Sequence, residues 1–492
     1  MNVGGESDRF VVPKKSRNKD GSPSADGMEG RGRTKENIVE SNPCRTQSRA
    51  SGSSRLDGVR QAAQRDKRMK FTALLHHVNE DLLAASYRRL KKDAAPGVDR
   101  VTWEEYGRNL RERLTDLHGR IHRGSYRALP SRRVHIPKPD GRQRPLGIAA
   151  IEDKVVQQAL RTVLEEIYEV DFLGFRYGFR PGRSQHDALD ALSAGIVWKR
   201  VDWILDADIR SYFDNISHDH LIQMLQHRIG DERVIRLIRK WLKAGVMEDG
   251  QWQASERGTP QGSVISPLLA NVYLHYVLDV WVQAWRKREA RGDVIIVTYA
   301  DDFVMGFQYG DEAERFLKML RDRMARFGLE LHPAKTRLIE FGRYAAERRK
   351  RRGLGKPETF DFLGFTHMCG KNHQNQSFEV KRKTVAKRLR RKLREVKQEL
   401  RQRISQSVKQ QTEWLVRVVA GHYQYYGVPG NSRALNAFHR GVWWHWIRCL
   451  RRKSQRSNWT WEKFIKKLLP RLPEPKIVHP YPLDRFVAKH PR

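Results

Sequence analysis

The sequence predicts an α+β fold followed by a helical, strongly basic block, and three observations predict it. Val294-Ile295-Ile296-Val297-Thr298 and Phe303-Val304-Met305-Gly306 are short apolar runs on either side of Tyr299-Ala300-Asp301-Asp302, the pattern of a buried β-hairpin. Elsewhere apolar residues recur at helical spacing, beginning with Phe71, Leu74, Leu75, Val78, Leu82 and Leu83. From Lys381 to about Val408 the period is again helical; Leu389, Leu393, Val396 and Leu400 form the stripe, and Lys and Arg fill most other positions.

The chain has 492 residues, enough for several domains with their own cores. Lys and Arg total 95 against 57 Asp and Glu, a formal net charge of +38. An excess of that size repels itself unless a polyanion neutralises it, so nucleic acid is the default partner, with an anionic membrane as the competitor. No run of about 18 apolar residues is present, so no membrane span is expected. The N-terminus lacks the apolar core of a secretion signal. Cys44, Cys369 and Cys449 are far apart and form no CxxC pair, which excludes a disulfide framework and a cysteine zinc knuckle. A cytoplasmic protein is expected, associated with the nucleoid when it engages DNA.

In order along the chain, residues 1–66 are read as a disordered basic arm, since Ser, Gly, Asn, Lys and Arg dominate its N-terminal part. A helix over Met69–Leu90 ends at Ala95-Pro96-Gly97, and a second helix covers Trp103–Ile121. Arg132–Lys138 and Arg142–Ile148 flank Pro139-Asp140-Gly141, a β-hairpin whose tip carries cations. A helix follows over Asp153–Val170. The loop Gly174–Ser184 mixes glycine, aromatics and arginine, which suits phosphate and base contacts, and a helix follows it over His186–Lys199. Trp203–Ile209 is a short strand with Asp206 and Asp208 on one face. Gly258–Pro267 is a punctuated loop feeding an apolar helix over Leu268–Leu274. A helix over Ala313–Phe327 and the aromatic strand Phe360–Phe365 follow, and the main boundary falls between about Gly370 and Lys381. Two domains are therefore expected after the arm, 67–375 and 376–492.

Adjacent aspartates at a hairpin tip fit an ordinary turn as well as a metal site. Asp208 lies about ninety residues before Asp301 and Asp302 on another predicted strand. Carboxylates from two rigid neighbouring strands are what a two-metal phosphoryl-transfer centre needs. Lys138 and Arg144 on the cationic hairpin would neutralise a triphosphate.

These segments resemble the reverse transcriptases motif by motif. Tyr299–Asp302 is similar to their catalytic box, and Gln261-Gly262 with Ser266-Pro267 to the motif before it. Asp208–Asp214 resembles the first catalytic motif, Pro137–Ile148 the fingers hairpin, and Phe362-Leu363-Gly364-Phe365 the primer grip. Ala95–Asp99, Gly178–Ser184 and Pro267–Asn271 resemble the bacterial group II intron-encoded type; His422–Gly427 and His479–Pro482 resemble its maturase domain. The resemblance covers about residues 70–485.

It implies a right-hand polymerase, with fingers and palm on an antiparallel sheet and a helical thumb that is also the maturase domain. It also implies two Mg²⁺ held by Asp208, Asp301 and Asp302. Lys335 would act on the leaving pyrophosphate. Lys138, Arg144, Phe213 and Gln261 would bind the dNTP, with Phe213 as the steric gate. Tyr299, Phe362 and Gly364 would contact the primer. Asp206 matches no family role. The partners implied are intron RNA, an RNA template with a DNA primer, dNTPs and target DNA. The sequence stops after the maturase-like region and its cysteines are unpaired, so the primer is expected from elsewhere, such as a nascent strand at a replication fork. Two other readings stay open: a domesticated reverse transcriptase in phage defence or repair, and an RNA-binding splicing factor without polymerase activity.

Overall fold

The computed structural model describes residues 56–137, 143–372, 376–453 and 459–490. In chain order its strands are β1 (Ser131–Pro137), β2 (Gln143–Ile148), β3 (Trp203–Asp208), β4 (Val246–Glu248), β5 (Gln251–Gln253), β6 (Val294–Tyr299), β7 (Asp302–Phe307), β8 (Arg337–Glu340), β9 (Phe360–Phe362), β10 (Phe365–Lys371) and β11 (Phe378–Thr384). Among the described residues they form three sheets, ordered β6-β7-β3-β8, β2-β1-β4-β5 and β11-β10-β9.

The first sheet is antiparallel throughout, and pleat parity explains its place. Leu205, Ala207, Val294, Ile296, Phe303, Met305 and Phe307 face the larger core. Their neighbours Ile204, Ile295, Val297, Val304 and Ile339 face a second core, which the helix Gln185–Trp198 also lines. Strand β6 is buried on both faces, and so its sequence is a continuous apolar run rather than an alternating one. The same parity puts Asp206, Asp208, Tyr299 and Asp302 on the second-core face, at the end of the sheet where the apolar filling stops. Under the larger core runs the helix Ile151–Asp171, with Val155, Val156, Ala159, Leu160, Val163, Leu164 and Ile167 fully buried.

The hairpin β1–β2 forms as expected, with Ile136 opposite Arg144. The expected elements include no counterpart for β4–β5, although the Asp249-Gly250 turn that joins them is a hairpin signal: both residues have positive φ, 49° and 82°. The expected helix over Met69–Leu90 is shorter. Only Glu80–Arg89 is α-helical, because the buried Asp231 carboxylate accepts from the amides of Leu74 and Leu75 and holds that stretch in another conformation. The helix expected over Trp103–Ile121 is two, Trp103–Gly107 and Leu110–Arg123.

Two boundaries move. Residues 56–65 are helical, and Val59 and Ala63 are buried in the larger core, so 56–66 belong to the packed body and not to the arm. The boundary expected at 375/376 falls inside a hairpin, since β10 and β11 pair from Phe365↔Thr384 to Lys371↔Phe378. Lys381–Thr384 is therefore strand, and the helical body starts at Ala386. There the helices Ala386–Gln402, Val408–Tyr426 and Ser432–Arg452 share a third core with Val396, Leu400, Leu415, Val419, Phe438 and Trp446. The chain then returns, and the helix Pro482–Lys489 packs on Gln185–Trp198.

Candidate catalytic centre

Strand β3 ends on Asp208 and strand β7 begins on Asp302, and the two are direct partners in the ladder. Both are on the same face, so their carboxylates emerge side by side. Tyr299 is the partner of Asp302 on the other side. Between them the turn is only Ala300-Asp301, with Ala300 at φ 57°. Burial raises the pKa of Asp301, and Asp208 adds to the rise; Arg144 and Lys335 oppose it. The pKa of Asp302 is pushed up to about 7, first by the protein around it and then by the charges on Asp301 and Asp208. Its side chain opens on a cleft, so water screens part of that effect.

Lys335 donates to Asp208 Oδ2 at 2.6 Å. The loop that carries it is fastened to the end of β3, because the amide of His332 donates to the Asp208 carbonyl at 2.7 Å. Arg337 sits 3.6 Å from Asp206, whose pKa burial raises to about 6. Across a cleft of about 370 Å³ the acids face Phe362, Leu363, Gly364 and Arg388. Phe362 and Leu363 are largely buried in the second core, and both line the cleft together with Gly364; the φ values of Leu363 and Gly364 are 46° and 85°. The Tyr425 hydroxyl donates to the Leu363 carbonyl at 2.7 Å and fixes the turn.

Among the other sequence-predicted residues, Arg144 lies near enough to act on the charge of Asp301. Phe213 lies on the short helix Tyr212–Asn215 just beyond β3, edge-on to Phe179 at 6.5 Å. Gln261 Nε2 donates to Asp214 Oδ1 at 3.2 Å, and the Gln261 carbonyl accepts from the amide of Gly147 on β2 at 2.7 Å. Gln261 thus joins the cationic hairpin to the turn that carries Phe213. Arg144 is exposed on β2. Lys138 lies outside the described residues. The loop Gly174–Ser184 departs from expectation: Arg176 and Arg180 are buried and pair with Asp279 and Glu169, so these arginines brace the fold and do not reach toward phosphate.

The reverse transcriptase (RNA-dependent DNA polymerase) family matches residues 136–367, from β1 into β10. Protein YkfC of Escherichia coli is 35% identical over 275 residues, 49% of this chain and 72% of YkfC. The group II intron-encoded protein LtrA of Lactococcus lactis is 35% identical over 222 residues, 45% of this chain and 37% of LtrA. An uncharacterized 91 kDa protein in the cob intron of Schizosaccharomyces pombe is 38% identical over 209 residues, 42% of this chain and 25% of that protein. The chain belongs to the group II intron-encoded reverse transcriptase and maturase family. Its matched part holds every acid of the centre, along with Lys335 and Gln261.

The donor set of this reverse transcriptase suits divalent cations of the Mg²⁺ type. It is all carboxylate, on two rigid strands and the tight turn between β6 and β7; the charge on Asp208 raises the pKa of Asp301, and the charges on Asp301 and Asp208 raise that of Asp302, an imbalance that a cation relieves. Among the described residues no three His, Cys, Asp or Glu side chains converge into a ready-made cage. Instead the Lys335 ammonium neutralises Asp208. Sequence reasoning missed Arg388, Arg337 and the buried Arg176. Arg388 and Arg337 carry no local signal, being single cations in basic stretches, and Arg176 was read for its loop's composition.

Proposed function

We propose that this reverse transcriptase copies intron RNA into DNA at the Asp208–Asp301–Asp302 centre and binds the same RNA through its helical C-terminal body to promote splicing. The observation that carries the reading is the strand register: Asp208 opposite Asp302, with Asp301 at the adjoining turn. Asp208, Asp301 and Asp302 would hold two Mg²⁺, which when bound supply Lewis-acid activation of the primer hydroxyl and neutralise charge on the leaving pyrophosphate.

The remaining chemistry belongs to the chain's own residues. Arg144, with Lys138, presents positive charge to the triphosphate from the β1–β2 hairpin. Gln261 holds that hairpin against the Phe213 turn, which puts the Phe213 ring beside the sugar and excludes a 2′-hydroxyl. Lys335 moves its ammonium from Asp208 to the pyrophosphate and gives it a proton. Tyr299 and the Leu363-Gly364 turn border the primer terminus, and Arg388 meets a phosphate of the primer strand. In right-hand terms, the β1–β2 sheet is fingers, the β6-β7-β3-β8 sheet is palm, and the helices from Ala386 onward are thumb and maturase domain.

Primer extension on an RNA template with Mg²⁺ tests this directly. Wild type extends the primer, and Asp301→Ala abolishes extension while still binding the duplex. Equal incorporation by the two proteins overturns the assignment.

A further inference from the structure

We propose that Arg176, held by Asn271 and Asp279, is a positioning residue that fixes the Tyr299–Asp302 turn in its catalytic geometry; this rests on the polymerase reading above. The Arg176 and Asp279 side chains are both fully buried and form a two-pronged ion pair, with Nη2 at 2.7 Å from Oδ1 and Nε also donating to Asp279. The free edge of the guanidinium is turned the other way. Arg176 Nη1 donates to the carbonyl of Ala300 at 3.3 Å and to Asn271 Oδ1 at 3.3 Å. Asn271 Nδ2 in turn donates to the Gly178 carbonyl at 2.8 Å.

The turn needs such a hold. Ala300 has φ 57°, a left-handed conformation costly for a residue with a Cβ and usual there for glycine or asparagine. Strain of this kind persists only where the surroundings enforce it. Arg176 takes the Ala300 carbonyl from below. Gly178 forms the floor, since a Cβ on it would lie 2.2 Å from the Ala300 amide nitrogen. The Arg176 segment is also tied to β6: the Tyr177 amide donates to the Thr298 carbonyl, and the Thr298 amide to the Phe175 carbonyl, each at 2.9 Å. The loop thus forms a single parallel bridge, Arg176 to Thr298, at the edge of β6, and its guanidinium acts on the peptide that precedes Asp301.

The helix beneath is shaped to the same end. Asn271 and Asp279 are eight residues apart, which in an unbroken α-helix would leave them about 80° apart around the axis. The helix Ser266–Leu274 instead passes through a π turn, His275–Asp279, before Val280–Arg288. The wider turn rotates less per residue, so both side chains come round to the one guanidinium. Arg176 is fully buried and so is shielded from a nucleotide or primer in the cleft. It acts through the position of Asp301.

The experiment compares wild type, Arg176→Lys and Asn271→Ala, each as the full chain, on an RNA template with a DNA primer. Arg176→Lys keeps a charge for Asp279 but cannot span to the Ala300 carbonyl. A displacement of the turn by a fraction of an ångström is expected to lower kcat about 10- to 100-fold. KM for dNTP should stay within about twofold, and the Mg²⁺ concentration for half-maximal rate should rise about threefold or more, because misaligned carboxylates hold the ions less well. Duplex affinity measured without metal should not change. Asn271→Ala, which removes no charge, is expected to give a smaller loss of the same kind. It is the deciding variant if Arg176→Lys does not fold. A folded variant with wild-type kcat and Mg²⁺ midpoint overturns the proposal, as does a kcat loss that only follows duplex affinity. A wild type that extends no primer overturns the polymerase reading instead.

Discussion

Asp302 shows what the centre costs the fold. Its pKa of about 7 stands well above the roughly 3.9 of a free aspartate. The folded state therefore binds a proton there that the unfolded chain has released, and stability falls as pH rises from about 4 to about 7. Taking the charge away should reverse this. In EDTA at pH 8, Asp302→Asn is expected to melt about 1–2 °C above wild type, the size of a partly screened repulsion in a long chain, and near pH 4 the difference should vanish. Added Mg²⁺ should stabilise wild type and leave Asp302→Asn unmoved. A variant that melts with or below wild type at pH 8 would mean that Arg388 already relieves the repulsion. The acids were legible because a strand's period of two and a two-residue turn leave few places for them. Arg176 was not, because burial of an arginine depends on a carboxylate 103 positions away.

At the scale of elements, polar contacts tie β11 and the C-terminal helix to the helix Gln185–Trp198, and those centred on Asp190 are largely buried. Asp190, on the helix Gln185–Trp198, takes Arg382 from β11 at 3.3 Å and Arg485 from the C-terminal helix at 2.9 Å. Arg485 also contacts His479 Nδ1 at 2.7 Å, and the other ring nitrogen of His479 meets the Gln424 carbonyl at 2.6 Å. Lys489 pairs with Asp187 at 2.6 Å. A buried carboxylate with two cations is worse to lose than either cation. Asp190→Ala leaves two arginines without their acid and is expected to cost about 3–5 kcal/mol. Arg485→Ala leaves Asp190 still paired with Arg382, and about 2 kcal/mol is expected. Urea unfolding of the full chain gives both numbers, and the reverse order would show that Arg485, not Asp190, is the hub. The sequence showed these pieces as the start of a basic helical block and the end of a C-terminal tail. It could not show that they meet, since the partners are 192 and 295 residues apart. Hence the domain boundary was drawn through the β10–β11 hairpin: charge density changes near Lys381, but packing changes at Ala386.

Over the whole molecule the excess of positive charge was legible from composition alone, and the structure gives it a surface. Between Ala386 and Gln402, Lys387, Arg390, Arg394 and Lys397 are all exposed. Their spacing of three and four places them on one face of the helix, beside the stripe that holds the buried Val396 and Leu400. Arg391 and Lys392 are partly answered by Glu395, so the stripe of four is where phosphates find uncompensated charge. No helix among the described residues is long and apolar enough to cross a membrane. On the function proposed above, the polyanion for this stripe is an RNA backbone. Each phosphate neutralised releases counterions, so the logarithm of affinity should fall linearly with the logarithm of salt, by about 0.7–0.9 per contact. Replacing Arg390, Arg394 and Lys397 together by Gln should therefore weaken binding to structured intron RNA at low salt and flatten that slope by about 2–3. Nothing in this face contacts the acids of β3 and β7, so dNTP incorporation on a saturating primer–template should stay near wild type. A slope that does not change would place the RNA on another surface; a loss of incorporation at saturation would show that the same helix grips the primer–template during synthesis.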